Sequence, residues 1–171
     1  MSELTVVGGD LFVRGNLSAQ SMSVASGSVS NASVVAAAGI DSSKVIHRYA
    51  INYSQASGSA VVAAAHILHL ARASGTIVSV EALVEVKATG ADRTIDVDVL
   101  LGSSGSSYAT ILTAPIEFDD GSTNRAVVSG TLATASYIDN DSIKISVTVA
   151  GAAGAQATGL CVVITLAENP Q

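Results

Sequence analysis

TIVSVEALVEVKATGADRTIDVDVLL, residues 76–101, is the stretch that decides the fold. Apolar residues alternate with polar ones in both of its halves. Successive side chains of a β-strand point to opposite faces of the sheet. Each half therefore predicts a strand with one apolar face and one solvated face. The apolar positions are Val78, Val80, Ala82, Val84 and Val86, followed by Ile95, Val97, Val99 and Leu101.

Residues 88–93 connect these two strands and contain Gly90, which can adopt a positive φ angle. A short connection of this kind predicts two antiparallel strands that are neighbours in one sheet. We expect one face of the pair to lie in the protein core. The residues expected on that face are Val80, Ala82, Val84, Val97 and Val99.

The chain on either side of this stretch continues the strand pattern. Residues 60–71 fit a strand or a three-turn helix, and the strands around them favour a strand. Pro115 breaks another strand because proline cannot donate a backbone hydrogen bond. Turn signals separate these segments, so about eight strands are predicted. Such a series indicates an all-β antiparallel sandwich or barrel, and eight is the number of strands in a jelly roll. The further segments are 49–53, 108–112, 116–118, 125–132, 143–149 and 160–166.

Residues 1–46 differ from residues 47–171, which hold the predicted sandwich. Residues 15–35, GNLSAQSMSVASGSVSNASVV, are low in complexity and too poor in apolar residues to form a core alone. The segment is predicted to be an extended arm that orders on a partner, or short β-rungs intertwined with copies of itself. A plain disordered tail is the third option. The arm residues expected to pack on a partner outside their own sandwich are Leu11, Val13, Leu17, Met22, Val24, Val29 and Val34.

Composition limits the partners. The net charge is −6 and the eight Lys and Arg residues are scattered, so we expect no nucleic-acid partner. No long apolar segment or signal peptide is recognised, so we expect no membrane partner and synthesis in a cytoplasm. Only 13% of residues are charged, which leaves strand edges poorly protected. A homo-oligomer, and specifically a homotrimer, is therefore expected.

The candidate catalytic and metal-binding residues are few. His66 and His69 are three residues apart, which places them on opposite faces of a regular strand without a third ligand. Asp96 and Asp98 share a face, which we interpret as a solvated one rather than a calcium or glycosidase site. No nucleophile elbow is present. We expect no catalytic residues, no metal and no cofactor, and hence a protein that is not an enzyme.

Two segments resemble a jelly-roll domain that is common among virion proteins of tailed phages. The first is residues 75–112, GTIVSVEALVEVKATGADRTIDVDVLLGSSGSSYATIL, and the second is residues 138–166, IDNDSIKISVTVAGAAGAQATGLCVVITL. Asn140-Asp141 stands where the family usually has Gly-Asp. Residues 9–24, GDLFVRGNLSAQSMSV, also resemble Gly-Asn-Leu stretches of phage structural proteins and fibres. The resemblance implies no catalytic residues.

Cement or decoration proteins are the best-known users of such domains, typically as trimers at threefold positions of the capsid. The resemblance therefore implies a jelly-roll sandwich and a structural virion protein. That protein would bind the major capsid protein, with the seven apolar arm residues named above as the predicted capsid-binding residues. It would lie on the capsid surface. The alternative is a fibre or surface module that binds a carbohydrate or a receptor. Sugar sites usually offer an exposed aromatic platform, for which the chain provides Phe12, Tyr49, Tyr53, Tyr108, Phe118 and Tyr137.

Overall fold

The computed structural model describes residues 46–103 and 107–169. The seven predicted capsid-binding residues of the arm therefore lie outside the described residues, as does all of the predicted arm except Ile46. The described part contains ten β-strands and no helix. Its strands form two antiparallel sheets in a sandwich-like arrangement. The prediction of an all-β antiparallel sandwich is confirmed.

The ten strands include six long ones, and the short ones occupy the region in which Pro115 and the turns interrupt the alternation. Residues 60–71, for which helix and strand were both considered, contain a strand. The bounds are β1 His47–Ser54, β2 Ala64–Leu70, β3 Gly75–Val86, β4 Thr94–Gly102, β5 Ala109–Thr110, β6 Ile116–Phe118, β7 Val128–Ser129, β8 Ser136–Tyr137, β9 Ser142–Ala150 and β10 Thr158–Glu168.

The first sheet, sheet A, has the order β1–β10–β3–β7, and β8 also pairs with β3. The second, sheet B, has the order β2–β9–β4–β5, and β6 also pairs with β4. The buried side chains of both sheets form one apolar cluster. All five residues predicted for the core face of β3 and β4 belong to it: Val80, Ala82, Val84, Val97 and Val99.

The prediction that β3 and β4 are neighbours in one sheet is wrong. β3 pairs in sheet A and β4 pairs in sheet B, so residues 88–93 cross from one sheet to the other. This crossing is fixed by the β9–β10 connection, residues 151–157. The Thr89 amide donates to the Ala155 carbonyl at 2.9 Å, and the Ala155 amide donates to Thr89 Oγ1 at 2.9 Å. Both strands still direct their apolar faces into the same core, which is why the predicted core residues are correct.

Val78 also departs from the alternation, because it is 41% exposed although it was predicted on the apolar face of β3. Ile77 pairs with Leu166, and Ser79 pairs with the preceding residue, Thr165. Val78 is thus an extra residue, a β-bulge, which switches the face on which the following side chains lie. Ile77 takes the buried place instead.

Candidate functional site

Two tyrosines of β1 face two histidines of β2 where the edge strands of the two sheets lie side by side. The Tyr49 and His69 rings are 5.7 Å apart between centroids, and the Tyr53 and His66 rings are 5.6 Å apart. Tyr53 Oη also accepts a hydrogen bond from Gln55 Nε2 at 2.9 Å. We call these two ring pairs the tyrosine–histidine seam. The seam links sheet A to sheet B along one side of the sandwich.

The seam corrects the prediction that His66 and His69 lie on opposite faces of their strand. His66 pairs with Ile145 and His69 pairs with Ile143, and both isoleucines are fully buried. The β2–β9 register shifts between Ile67 and His69, so β2 carries a bulge at this point. Residues three apart on a regular strand lie on opposite faces, but the additional residue in the bulge places His66 and His69 on the same face. Both histidines therefore face the tyrosines of β1.

Four polar side chains from four strands meet at one end of the seam. We call Tyr49, His69, Tyr137 and Glu168 the four-residue cluster. Tyr49 Oη lies 3.1 Å from His69 Nε2, and His69 Nε2 lies 3.5 Å from Glu168 Oε1. Tyr137 is only 2% exposed. Its hydroxyl occupies space that a side chain on Gly75 would fill, because a Cβ there would lie 2.5 Å from Tyr137 Oη.

The surroundings of the four-residue cluster keep its phenols neutral. Burial raises the pKa of Tyr49, and a hydrogen bond to Glu168 and the charge of that carboxylate raise it further. Burial and the same charge raise the pKa of Tyr137. Two buried oxygens of the cluster, Tyr137 Oη and Glu168 Oε1, make no hydrogen bond of good geometry, although Tyr137 lies beside Tyr49 and Glu168 Oε1 lies 3.5 Å from His69 Nε2. A buried polar atom without a partner calls for a specific explanation, such as a bound water or ion.

The four-residue cluster was not predicted from the sequence. Histidines and carboxylates were considered as ligands, but the tyrosines were considered only as platforms for sugars. One signal was present, because Tyr49 and Tyr53 are four residues apart and so share a face of a strand. Nothing in the sequence brings Tyr137 or Glu168 to these residues, because the pairing of β8 with β3 and of β10 with β1 creates that proximity.

Asp96 and Asp98, the predicted solvated pair, are partly exposed on β4. Asp98 Oδ1 accepts a hydrogen bond from Thr110 Oγ1 at 2.6 Å, so this carboxylate joins β4 to β5. Within residues 46–103 and 107–169, no three His, Cys, Asp or Glu side chains are grouped to hold a metal ion. The four-residue cluster contains only two side chains of these types, His69 and Glu168, and its other two members are tyrosines.

The free edge of sheet B is apolar. β2 has the sequence AAHILHL, without a charged residue, and among the strands that the structure describes only β9 pairs with it. Ile67 is 63% exposed, and Val62 and Leu70 are also exposed. We call Val62, Ile67, Leu70 and the unpaired backbone of β2 the β2 edge surface. Monomeric proteins usually protect such an edge with charged residues or proline.

A shallow groove on sheet A is lined largely by apolar side chains, among them Leu83, Val127, Cys161 and Val163. Cys161 is partly exposed in β10 as a free thiol. Among the described residues that line the groove, none is a cationic side chain of the kind that activates a thiol. The groove therefore provides apolar surface rather than chemistry.

Glu85 has a structural role, although it was predicted simply to lie on the solvated face of β3. Its Oε2 accepts hydrogen bonds from Ser57 Oγ and from the Gly58 amide, each at 2.8 Å. These bonds attach the turn after β1 to β3. The Ser57 hydrogen bond, then the Gly58 amide and the Arg125 charge, lower the pKa of Glu85 below its ordinary value of 4.5.

Acid should selectively weaken this attachment. A carboxyl group whose pKa is lower in the folded state stabilises the fold fully above its unfolded pKa and loses that contribution as the pH falls through the folded pKa. Wild type is therefore expected to lose more thermal stability than Glu85→Gln between pH 6 and pH 3, measured by circular dichroism. Glu117→Gln, at the one exposed position of β6, is the matched control and should follow wild type. Equal acid sensitivity of Glu85→Gln and wild type would contradict the assigned role.

The comparisons with known proteins add no relative. No protein-family model, no curated protein and no solved structure matches the chain. In the part of the chain that the structure describes, no helix is long and apolar enough to cross a bilayer.

Proposed function

We propose that the chain is a structural virion protein that binds and stabilises a phage capsid as a cement or decoration protein. Its sandwich would be a jelly roll. In that fold, eight strands named B to I form one sheet in the order B-I-D-G and another in the order C-H-E-F. If β5 and β6 count as one broken strand and β7 and β8 as another, the observed strand orders correspond to these two sheets. This correspondence supports the resemblance found in the sequence.

The β2 edge surface is the observation that carries the proposal. It combines unpaired backbone groups with exposed apolar side chains and no charged residue in the strand. An edge of this kind suits pairing with a strand of another chain, in which main-chain hydrogen bonds provide affinity. We assign it to contacts between copies in a homotrimer. Three copies would then act together on the major capsid protein, so that weak individual contacts add up.

The arm, residues 1–46, is the proposed anchor on the capsid. It leads into β1, the edge strand of sheet A, and Ile46 at this junction is exposed. Ordering its backbone costs about 1–2 kcal/mol per residue. Strand pairing and the burial of its seven regularly spaced apolar residues would offset that cost. Sister arms in the trimer are the competing partner. The proposed location is the capsid surface, after synthesis in the host cytoplasm.

The alternative, a fibre or surface module that binds a carbohydrate or a receptor, finds less support. Among the aromatic side chains that the structure describes, Phe118 and Tyr137 are buried. Tyr49 and Tyr53 face the histidines of the seam. Tyr108 is covered by Lys144, whose Nζ lies 5.0 Å from the centroid of its ring. None of these rings is presented as the open platform on which a sugar stacks.

Ile67→Asp tests the proposal in the full chain. Wild type is expected to be a trimer by native mass spectrometry and to co-sediment with capsids of the phage that encodes it. The substitution places a charge on the β2 edge surface and should yield a monomer whose capsid binding is at least about tenfold weaker, because the three-copy advantage is lost. Val127→Asp is the matched control. Val127 is 59% exposed, close to the 63% of Ile67, but it lines the groove on sheet A.

Three outcomes would contradict the proposal or part of it. A wild-type monomer that does not co-sediment with capsids, but binds on a glycan array, would favour the alternative function. A chain that begins at Lys44 should fold and form trimers but fail to bind capsids. If it binds capsids as tightly as the full chain, the arm is not the anchor. If it loses the trimer instead, the arm belongs to the trimer interface as intertwined rungs.

A further inference from the structure

We propose that the four-residue cluster is a binding site for a hard trivalent cation of the Fe³⁺ class. The ligands would be the phenolate oxygens of Tyr49 and Tyr137, the Glu168 carboxylate and Nε2 of His69. This inference is independent of the proposed virion function. It also extends beyond the metal sites considered in the sequence, which were built from histidines and aspartates alone.

The spacing of the donor atoms fits a shared ion. Adjacent ligands of an octahedral cation with bonds of about 2.0–2.1 Å are about 3 Å apart. Tyr49 Oη and His69 Nε2 are 3.1 Å apart, and His69 Nε2 and Glu168 Oε1 are 3.5 Å apart. Small side-chain adjustments would bring both pairs to ligand spacing. The four residues come from β1, β2, β8 and β10, so the framework of two sheets holds them in position.

The two unpartnered oxygens point to an ion in particular. Tyr137 is almost completely buried, and its hydroxyl has no hydrogen-bond partner. Glu168 Oε1 is buried and without a hydrogen bond in the same cluster. A carboxylate taken out of water needs a compensating positive charge. Glu168 Oε1 has the ion-pair contact with His69 Nε2 at 3.5 Å, and a cation held by both side chains would give Tyr137 Oη a partner as well.

The charge and the hardness of the donors select the class of cation. Two phenolates and one carboxylate carry three negative charges, so a trivalent ion makes the buried site neutral. Imidazole and tyrosinate are both established ligands of iron in proteins. Tyrosine phenols carry their protons at neutral pH. The ion must therefore displace two protons, which leave to solvent, and a strongly Lewis-acidic trivalent ion does this more readily than Ca²⁺ or Mg²⁺.

Ferric nitrilotriacetate, added to the full chain after removal of metals with a chelator, tests the site. We expect one ion per chain, a visible phenolate-to-iron charge-transfer band and an unfolding temperature several degrees higher, as for any ligand that binds the folded state. Tyr49→Phe and Tyr137→Phe should each bind at least about tenfold more weakly, with a weaker band, because each removes a ligand. Tyr53→Phe is the matched control and should retain the band, since Tyr53 faces His66 in the other ring pair.

A separate measurement distinguishes loss of a ligand from loss of the fold. Without metal, Tyr137→Phe should melt no lower than wild type, because the variant only removes a buried hydroxyl that has no partner. Glu168→Gln, which keeps the size of the side chain, provides a second ligand variant. The proposal is overturned if wild type shows no band and no thermal shift, or if the Tyr49→Phe, Tyr137→Phe double variant retains both. Stabilisation by zinc chloride but not by the ferric complex would also overturn it.

Discussion

Val84→Asp is expected to remove a large part of the free energy of unfolding. Val84 is completely buried in β3, where it pairs with Leu160 of β10. The substitution places a charge in the apolar core without a partner, at a cost of several kcal/mol. Domains of this size are stable by only about 5–15 kcal/mol, so the loss is a large part of the total. Urea denaturation followed by circular dichroism measures it.

Val78→Asp is the matched control, with the same substitution in the same strand. A strictly alternating strand would place Val78 and Val84 on one face and would make both variants equally unstable. The bulge in β3 exposes Val78 instead, so its aspartate remains in water. We expect a loss below about 1 kcal/mol, as for other surface changes. If the two variants melt alike, the bulge is misplaced and the register of β3 is wrong.

Gly154→Ala is the second variant with a large expected effect. Gly154 has a φ of +77°, and a Cβ at this position would overlap the carbonyl oxygen of Thr89. Because that neighbour is backbone, it cannot move aside as a flexible side chain would. The left-handed conformation and the overlap together should cost about 3 kcal/mol or more, measured by urea denaturation. The loss would arise where the β3–β4 and β9–β10 connections touch.

Gly58→Ala separates the two causes. Gly58 has a similar φ of +69°, but nothing lies within 4 Å of a Cβ built there. This variant should therefore incur only the conformational cost, about 1 kcal/mol. If Gly154→Ala is no more destabilising than Gly58→Ala, the two connections do not pack closely, and the crossing between sheets has another cause.

The strands and their buried faces could be predicted from the sequence because alternation is a local signal. Val80 and Val97, for example, follow directly from their polar neighbours. The choice of sheet could not be predicted in this way. The apolar faces of β3 and β4 pack against the same core from opposite sheets. This arrangement produces the same alternation of apolar and polar residues as two neighbouring strands of one sheet. Contacts between distant connections, such as that of Thr89 with Ala155, decide between the two arrangements.

The two bulges explain two further errors. Each adds one residue to a strand, and each is defined by the partner strand rather than by the residues around it. The bulge in β3 exposes Val78, and the bulge in β2 brings His66 and His69 to one face. The four-residue cluster depends on the second bulge and on two strand pairings of long range. The four residues could therefore be identified in the sequence, but their proximity in the fold could not be predicted.

The order of strands in sheet A has a consequence for synthesis. β1 pairs along its length with β10, so the first described strand has the last one as its partner. A nascent chain that emerges from the ribosome must hold β1 unpaired until β10 has left the exit tunnel, and β2 unpaired until β9 has left it. Loop closure over such separations is slow, and folding dominated by distant pairings takes about milliseconds to seconds. Exposed edges during that interval invite pairing with neighbouring nascent chains, so translation speed and chaperones should control the yield of folded protein.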